Sequence, residues 1–268
     1  MKALFLTFHG FHATNGISKK IHYQVRALEA NGVETHLCYL SEKQGIKYRM
    51  LDQEILADYG DGIKGKLYKR FEFNSVFRYI IKNQIDLVYI RSDHNANPFT
   101  IRLVRKIKKA GIHVFMEIPT YPYDQEYVLS KRKIQLLIDK CFRKQLAKYL
   151  DQIITFSNYK TIFGTSTLQI SNGIDFNDIP VKQEANDTSQ KIHLIGVAEI
   201  HYWHGFDRLL KGLANYYIHS PQYKVYFHII GDFFNPGERE EYMSIIKENH
   251  LNPYVILHGR QAGQMLDL

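Results

Sequence analysis

The segment Gly196-Val197-Ala198-Glu199-Ile200-His201-Tyr202-Trp203-His204-Gly205-Phe206-Asp207-Arg208-Leu209-Leu210 closes a short apolar run at 192–197 and opens a stretch with helical apolar spacing. It is one strand, loop and helix, and the same order repeats on either side. Downstream, a helix is expected at 205–218, a strand at 224–230, a helix at 238–249 and a strand at 254–257. Upstream, strands are expected at 2–8, 33–40, 87–91, 113–117 and 152–155, with helices between them. Such alternation predicts parallel strands joined by covering helices. The helix at 17–30 stops at Asn31-Gly32, residues that tolerate the left-handed conformation, and the helix at 98–110 starts on Pro98 and stops at Gly111.

A chain of 268 residues has room for two domains of roughly 100–200 residues each. The run 182–190 carries no large apolar side chain, so the boundary is expected there: a first domain at 1–175, a linker at 176–190 and a second domain at 191–268. The second holds about half the elements of a doubly wound sheet. Hydrophobic residues make up 45% of the chain, and no run approaches the about 18 apolar residues of a membrane span. Ala3 to Leu6 is too short an apolar run for a signal peptide and reads as a first strand. Cys38 and Cys141 are far apart without metal-ligand spacing, so a reduced, cytoplasmic setting is expected. The net charge of +8 suits nucleotide phosphates or a phospholipid surface, while nucleic acid is disfavoured because no binding-module signature accompanies it.

Three short motifs fall in order at strand ends: Asn172-Gly173-Ile174-Asp175, the segment quoted first, and Ile229-Ile230-Gly231-Asp232. Together with Asn15-Gly16-Ile17 after the first strand, they resemble the family-4 (group 1) glycosyltransferases. That resemblance implies a GT-B architecture of two Rossmann-like domains with parallel sheets, the first for an acceptor and the second, incomplete here, for a nucleotide sugar. It also implies donor contacts at Asn15, Gly16, His204, Gly205, Arg208, Gly231, Asp232, Gly259 and Arg260. His204-Gly205 stands where the family has Lys-Gly, and Ala198 where it usually has arginine. Both departures lower the fixed positive charge around a diphosphate, for which Arg208 is a candidate to compensate; a solvent-facing helix arginine is the other reading. The family carries further on a Glu-x7-Glu pair that meets the donor sugar and ribose. The sequence ends before such a pair, so a truncated donor domain of low activity is expected.

In the first domain, Glu117, Tyr121 and Tyr123 follow the fourth strand, and Arg91, Asp93 and His94 follow the third. Glu117, Tyr121, Tyr123 and Arg91 are candidates for binding a sugar acceptor by stacking and hydrogen bonding; a loop stiffened by Pro119 and Pro122 is the plain alternative. Glu117 and His204 are the candidates for catalysis, and His9 and His12 are further ones in the first loop. No Asp-x-Asp signature is present, so neither metal nor cofactor is expected. The basic helices around 102–109 and 131–148 present either a solvated face or a face for an anionic bilayer carrying a lipid-linked acceptor. The function expected is metal-independent, retaining transfer of a sugar from a UDP- or GDP-sugar to an acceptor hydroxyl, in polysaccharide or glycoconjugate synthesis. A non-catalytic nucleotide-sugar or glycan-binding remnant and a GT-B sugar-nucleotide epimerase remain as alternatives.

Overall fold

Ala3, Leu4, Phe5, Leu6 and Thr7 have no solvent exposure at all. A strand apolar on both faces must be covered on both, which is the condition met in the middle of a parallel sheet. In the computed structural model, which describes residues 1–11, 16–124, 133–178, 190–219 and 221–261, these residues form the centre of strand β1. The chain divides into two units, Met1–Pro180 and Val181–Leu268. The expected linker falls largely on 179–189, outside the described residues.

The first unit runs β1 (Lys2–Gly10), α1 (Gly16–Ala30), β2 (Glu34–Lys43), β3 (Ile46–Leu51), β4 (Glu54–Gly60), α2 (Gly62–Phe71), α3 (Asn74–Lys82), β5 (Leu87–Arg91), α4 (Pro98–Lys109), β6 (His113–Ile118), α5 (Lys133–Ala147), β7 (Gln152–Thr155), β8 (Thr161–Ile162) and β9 (Thr165–Gln169). Its sheet has the order β4-β3-β2-β1-β5-β6-β7-β9-β8. From β2 to β9 the neighbours are parallel. The sheet is mostly parallel, as expected, with antiparallel pairs β2–β3, β3–β4 and β8–β9 added at its two edges. The β2–β3 hairpin turns on Gln44 and Gly45 at φ 50° and 83°, and a two-residue hairpin of this kind needs positive φ at both positions. Glutamine rarely adopts that conformation, so the sequence gives little sign of the turn.

Helix ends follow the local chemistry that the sequence announces. Gly32, at φ 78°, donates its amide to the Glu29 carbonyl at 2.9 Å, and the Asn31 side chain donates to Ala27 at 2.8 Å, closing α1. At the start of α4 the Asn97 carboxamide oxygen accepts from the amides of Phe99 and Thr100 at 2.8 and 3.0 Å. Pro98 occupies the first helical turn, where its missing N–H costs nothing. Val76, Ile80, Val88, Ile90, Val104, Ile107, Val114 and Ile153 are wholly buried in one cluster, which fixes α3 and α4 against the sheet.

The second unit comprises β10 (Lys191–Val197), a 3-10 turn (Tyr202–His204), α6 (Phe206–Ile218), β11 (Lys224–Ile230), α7 (Pro236–Glu248) and β12 (Val255–Gly259), with the three strands parallel in that order. Val225, Phe227 and Ile229 share a buried cluster with Leu210 and Leu213 of α6 and Tyr242 and Ile246 of α7. Strand alternation turns Tyr226 and His228 to the opposite face. There three imidazoles form a ladder across the strands: His193 Nδ1 lies 2.9 Å from His228 Nε2, and His228 Nδ1 lies 2.9 Å from His258 Nε2.

Burial, then the neighbouring His258 and His193, hold the His228 pKa below the ordinary histidine value. As pH falls through about 6.5 the unfolded chain takes up a proton that folded His228 resists. Stability is therefore full above that range and is lost as pH drops through it. Thermal melts from about pH 8 to about pH 5 should show this loss, and His228→Gln should flatten the slope; an unchanged slope in the variant would remove the ladder as its source.

Candidate functional site

Strand β1 is flanked by β2 on one side and β5 on the other, so the chain reverses its direction of travel across the sheet between β1 and β5. In open α/β sheets the crevice beyond the carboxyl ends of such a strand pair is where ligands bind. A cavity of about 980 Å³ opens there in the first unit. Phe8, His9, Gly10 and Phe11 wall it from β1, and 93–100 from the loop after β5 into α4. Phe71 and Phe73 from the α2–α3 region, and Ile134, Ile138 and Phe142 from α5, make much of its wall apolar. Lys47, Lys69 and Arg70 supply positive charge, with Glu42 3.3 Å from Lys47.

The loop after β5 is held by many small bonds. Gln135 donates to the Asp93 carbonyl at 2.7 Å, Thr100 donates its hydroxyl to Asn95 at 2.9 Å, and the Ala96 amide donates to buried Asp139 at 3.0 Å. His94 sits at φ 51°, a left-handed conformation uncommon outside glycine but more accessible to histidine than to most residues. The His9 Nδ1 lies 2.9 Å from the Gly10 carbonyl, which can only accept, so Nδ1 carries a proton. Among the described residues the His9 Nε2 has no partner.

Several acceptor candidates are placed differently from their sequence reading. Arg91 and Glu117 are directly paired across β5 and β6. They are 6% and 0% exposed and form a buried ion pair instead of lining an open edge. Glu117 also accepts from the Tyr89 hydroxyl at 2.6 Å and Gln24 at 2.8 Å, with Lys20 Nζ 3.9 Å away. Burial lowers the Lys20 pKa against the opposing pull of Glu117. Burial and then the Glu117 charge raise that of Tyr89. Tyr123 is 2% exposed in the core cluster, and its hydroxyl donates to Asp139 at 2.7 Å, so its ring is not open to a ligand. Tyr121 is half-buried, edge-on to Tyr159 and Phe163. Gly16 begins α1, whereas His12 and Asn15 lie outside the described residues.

In the second unit the loops that follow β10 and β11 are laced together through their backbones. Ala198 donates to Ile230 at 3.0 Å, Ile200 to Asp232 at 2.8 Å and Phe234 to Ile200 at 3.1 Å. Gly231 is fixed by this approach: at φ 131°, a Cβ would stand 1.7 Å from the Ala198 carbonyl oxygen. Its amide donates to Gly259 at 2.7 Å, and Asp232 lies 3.7 Å from Arg260 at an exposed pair. Gly205, at φ 71°, turns the chain from the 3-10 turn into α6, and the Arg208 guanidinium folds back over it. The donor candidates Gly231, Asp232, Gly259 and Arg260 thus form one group, and His204, Gly205 and Arg208 another. The His201 ring, 4.5 Å from Phe234 and 5.9 Å from His204, links the two.

His204 Nδ1 lies 3.0 Å from the His201 amide and 3.2 Å from its carbonyl. The neutral ring accepts from the amide and turns an Nε2–H outward; the protonated ring donates to the carbonyl instead. Trp203 stacks on His201 at 4.0 Å, and Tyr202, Trp203 and Phe234 remain exposed. No spacing in the sequence signals this platform, because Phe234 comes from another loop. Nor does any motif mark the cavity's Lys47, Lys69 and Arg70, which stand on β3 and α2. Among the described residues no group of three or more His, Cys, Asp or Glu is arranged to hold a metal ion.

The buried pair gives a direct test of the first unit. Replacing Arg91 by methionine leaves the Glu117 charge without its main partner and should cost about 3–5 kcal/mol. The double substitution Arg91→Met with Glu117→Gln should recover most of that loss. Denaturant unfolding reads both; a single-variant cost under about 1 kcal/mol would mean that the pair does not hold β5 to β6.

No protein-family model and no curated protein matches the chain. Solved structures do. HepE of Anabaena, crystallised with UDP, has 17% identity and a TM-score of 0.59 over 98% of this chain and 70% of its own. Sucrose-phosphate synthase of Thermosynechococcus elongatus has 12% identity and a TM-score of 0.60 over 99% and 71%. The UDP-GlcNAc 2-epimerase of Methanocaldococcus jannaschii has 9% identity and a TM-score of 0.51 over 99% and 75%. The chain therefore has a GT-B type α/β fold, with a large, mostly parallel sheet in one Rossmann-like unit and a three-stranded parallel sheet in the other.

Proposed function

We propose that the chain is a nucleotide-sugar-dependent glycosyltransferase, with the donor held by the second unit and the acceptor by the first. The observation that carries this reading is the strand-end rim of the second unit. His204, Gly205 and Arg208 stand at the amino end of α6, next to the exposed rings of Tyr202, Trp203 and Phe234. A helix amino terminus favours anions, and an arginine adds a charge that does not titrate. Glycosyl transfer puts negative charge on the departing diphosphate and positive charge on the sugar, so catalysis depends on stabilising the first while shielding the second from water. The α6 amides, Arg208 and the Nε2–H of neutral His204 serve the diphosphate without a metal, and the aromatic platform serves the base. HepE shares this fold and was crystallised with UDP, which favours a uridine donor. Configuration is retained at the transferred sugar, and the product belongs to polysaccharide or glycoconjugate synthesis.

The acceptor belongs in the large cavity of the first unit. Its aromatic walls suit a sugar ring or an attached lipid. Glu117 is better suited to positioning β5 and β6 than to contacting substrate.

Calorimetry with UDP and GDP tests the donor half. UDP should bind, chelator should leave the affinity unchanged, and His204→Ala and Arg208→Ala should each weaken it about tenfold. Binding of neither nucleotide would sink the reading. Because a UDP-GlcNAc 2-epimerase shares the fold, a UDP-sugar should also be incubated without acceptor and followed by NMR. Epimerised donor would replace transfer with isomerisation, and binding without turnover would leave a nucleotide-sugar-binding module.

A further inference from the structure

We propose that α2 and the adjoining mouth of the first-unit cavity dock on an anionic phospholipid surface. Ile63, Leu67 and Phe71 recur at the helical repeat on one face of α2 and are 77%, 48% and 39% exposed. The face that meets the protein is instead Gly65, where a Cβ would come within 2.2 Å of the Gly60 carbonyl oxygen. A surface helix normally turns its apolar stripe to the core. Here the stripe points outward, and the seat is a glycine.

Charge decides what would cover it. Lys66 and Arg70 flank the stripe on one side and Lys64 on the other, and Gly62–Phe71 contains no acidic residue. Glu72, just beyond, is occupied by the amides of Asn74 and Ser75. A second copy of the chain would bring these cations against their own counterparts. A bilayer with anionic headgroups satisfies both features, taking the apolar side chains at the acyl boundary and the cations among the phosphates. Among the described residues no helix is long and apolar enough to cross a membrane, and α2, with 10 residues and one apolar stripe, would lie in the plane of the surface.

The stripe runs into the cavity. The Phe71 ring lies 4.5 Å from that of Phe99, and both line the cavity together with Ile134 and Ile138, themselves 70% and 43% exposed. Docking in this way sets the cavity mouth against the lipid and makes an amphiphilic acceptor the natural occupant. The docking itself does not rest on the transferase reading, since it needs no nucleotide.

Flotation of the whole chain with vesicles tests it. Vesicles with about one-third phosphatidylglycerol should carry the protein, pure phosphatidylcholine should not, and about 0.5 M salt should release it. Ile63→Glu with Leu67→Glu should cut binding roughly tenfold or more. Lys64→Ser and Lys66→Ser should each cut it about fivefold. Unchanged melting and unchanged UDP affinity in these variants separate loss of docking from misfolding and from failure of the donor site. Absence of flotation with anionic vesicles at low salt, or full binding by the double glutamate variant, overturns the proposal. So does a dimer, seen by light scattering, that the same double substitution abolishes.

Discussion

Burial of β1 on both faces is the constraint on which the first unit depends. Five consecutive residues without exposure require cover above and below, and a chain supplies such cover only by crossing over with helices. The crossovers run first to β2 and then back past β1 to β5, and that reversal opens a crevice at the ends of two adjacent strands. The cavity is thus a by-product of where the apolar residues lie. Its aromatic walls come from β1, α4 and α5 as well as from the α2–α3 region, and its basic side chains from β3 and α2.

The two units treat the same geometry differently. In the first, the loops at the ligand edge stand apart and are held by side chains, such as Asp139 reaching to Ala96 and Tyr123, so a volume remains between them. In the second, backbone bonds from Ala198, Ile200 and Phe234 draw the loops together and leave a rim of exposed side chains. A roomy cavity suits a ligand with bulk; a shallow rim of cations and rings suits a flat, anionic one.

The regular part of the fold was legible in the sequence because its signals are local. Strands at 87–91 and 152–155 coincide with their expected bounds, and Asn31-Gly32 and Pro98 mark helix ends through their own backbone preferences. The edge hairpin was not legible, since Gln44 takes a positive φ that only its tertiary setting enforces. Nor was the fate of Glu117. A carboxylate at a strand end reads as a ligand-edge residue, but its burial depends on Tyr89 and Gln24, which come from a distant strand and helix. The aromatic platform joins Trp203 to Phe234 through His201, across two loops whose contact no spacing rule foretells.

The lacing of those loops has a consequence for how this surface can change. Their path is set by main-chain bonds and by Gly231, where a side chain would run into the Ala198 carbonyl. Exposed side chains on the rim, such as Tyr202, therefore carry little of the burden of holding the frame. They can be exchanged almost freely, one residue at a time, so that ligand preference drifts while the architecture stands still.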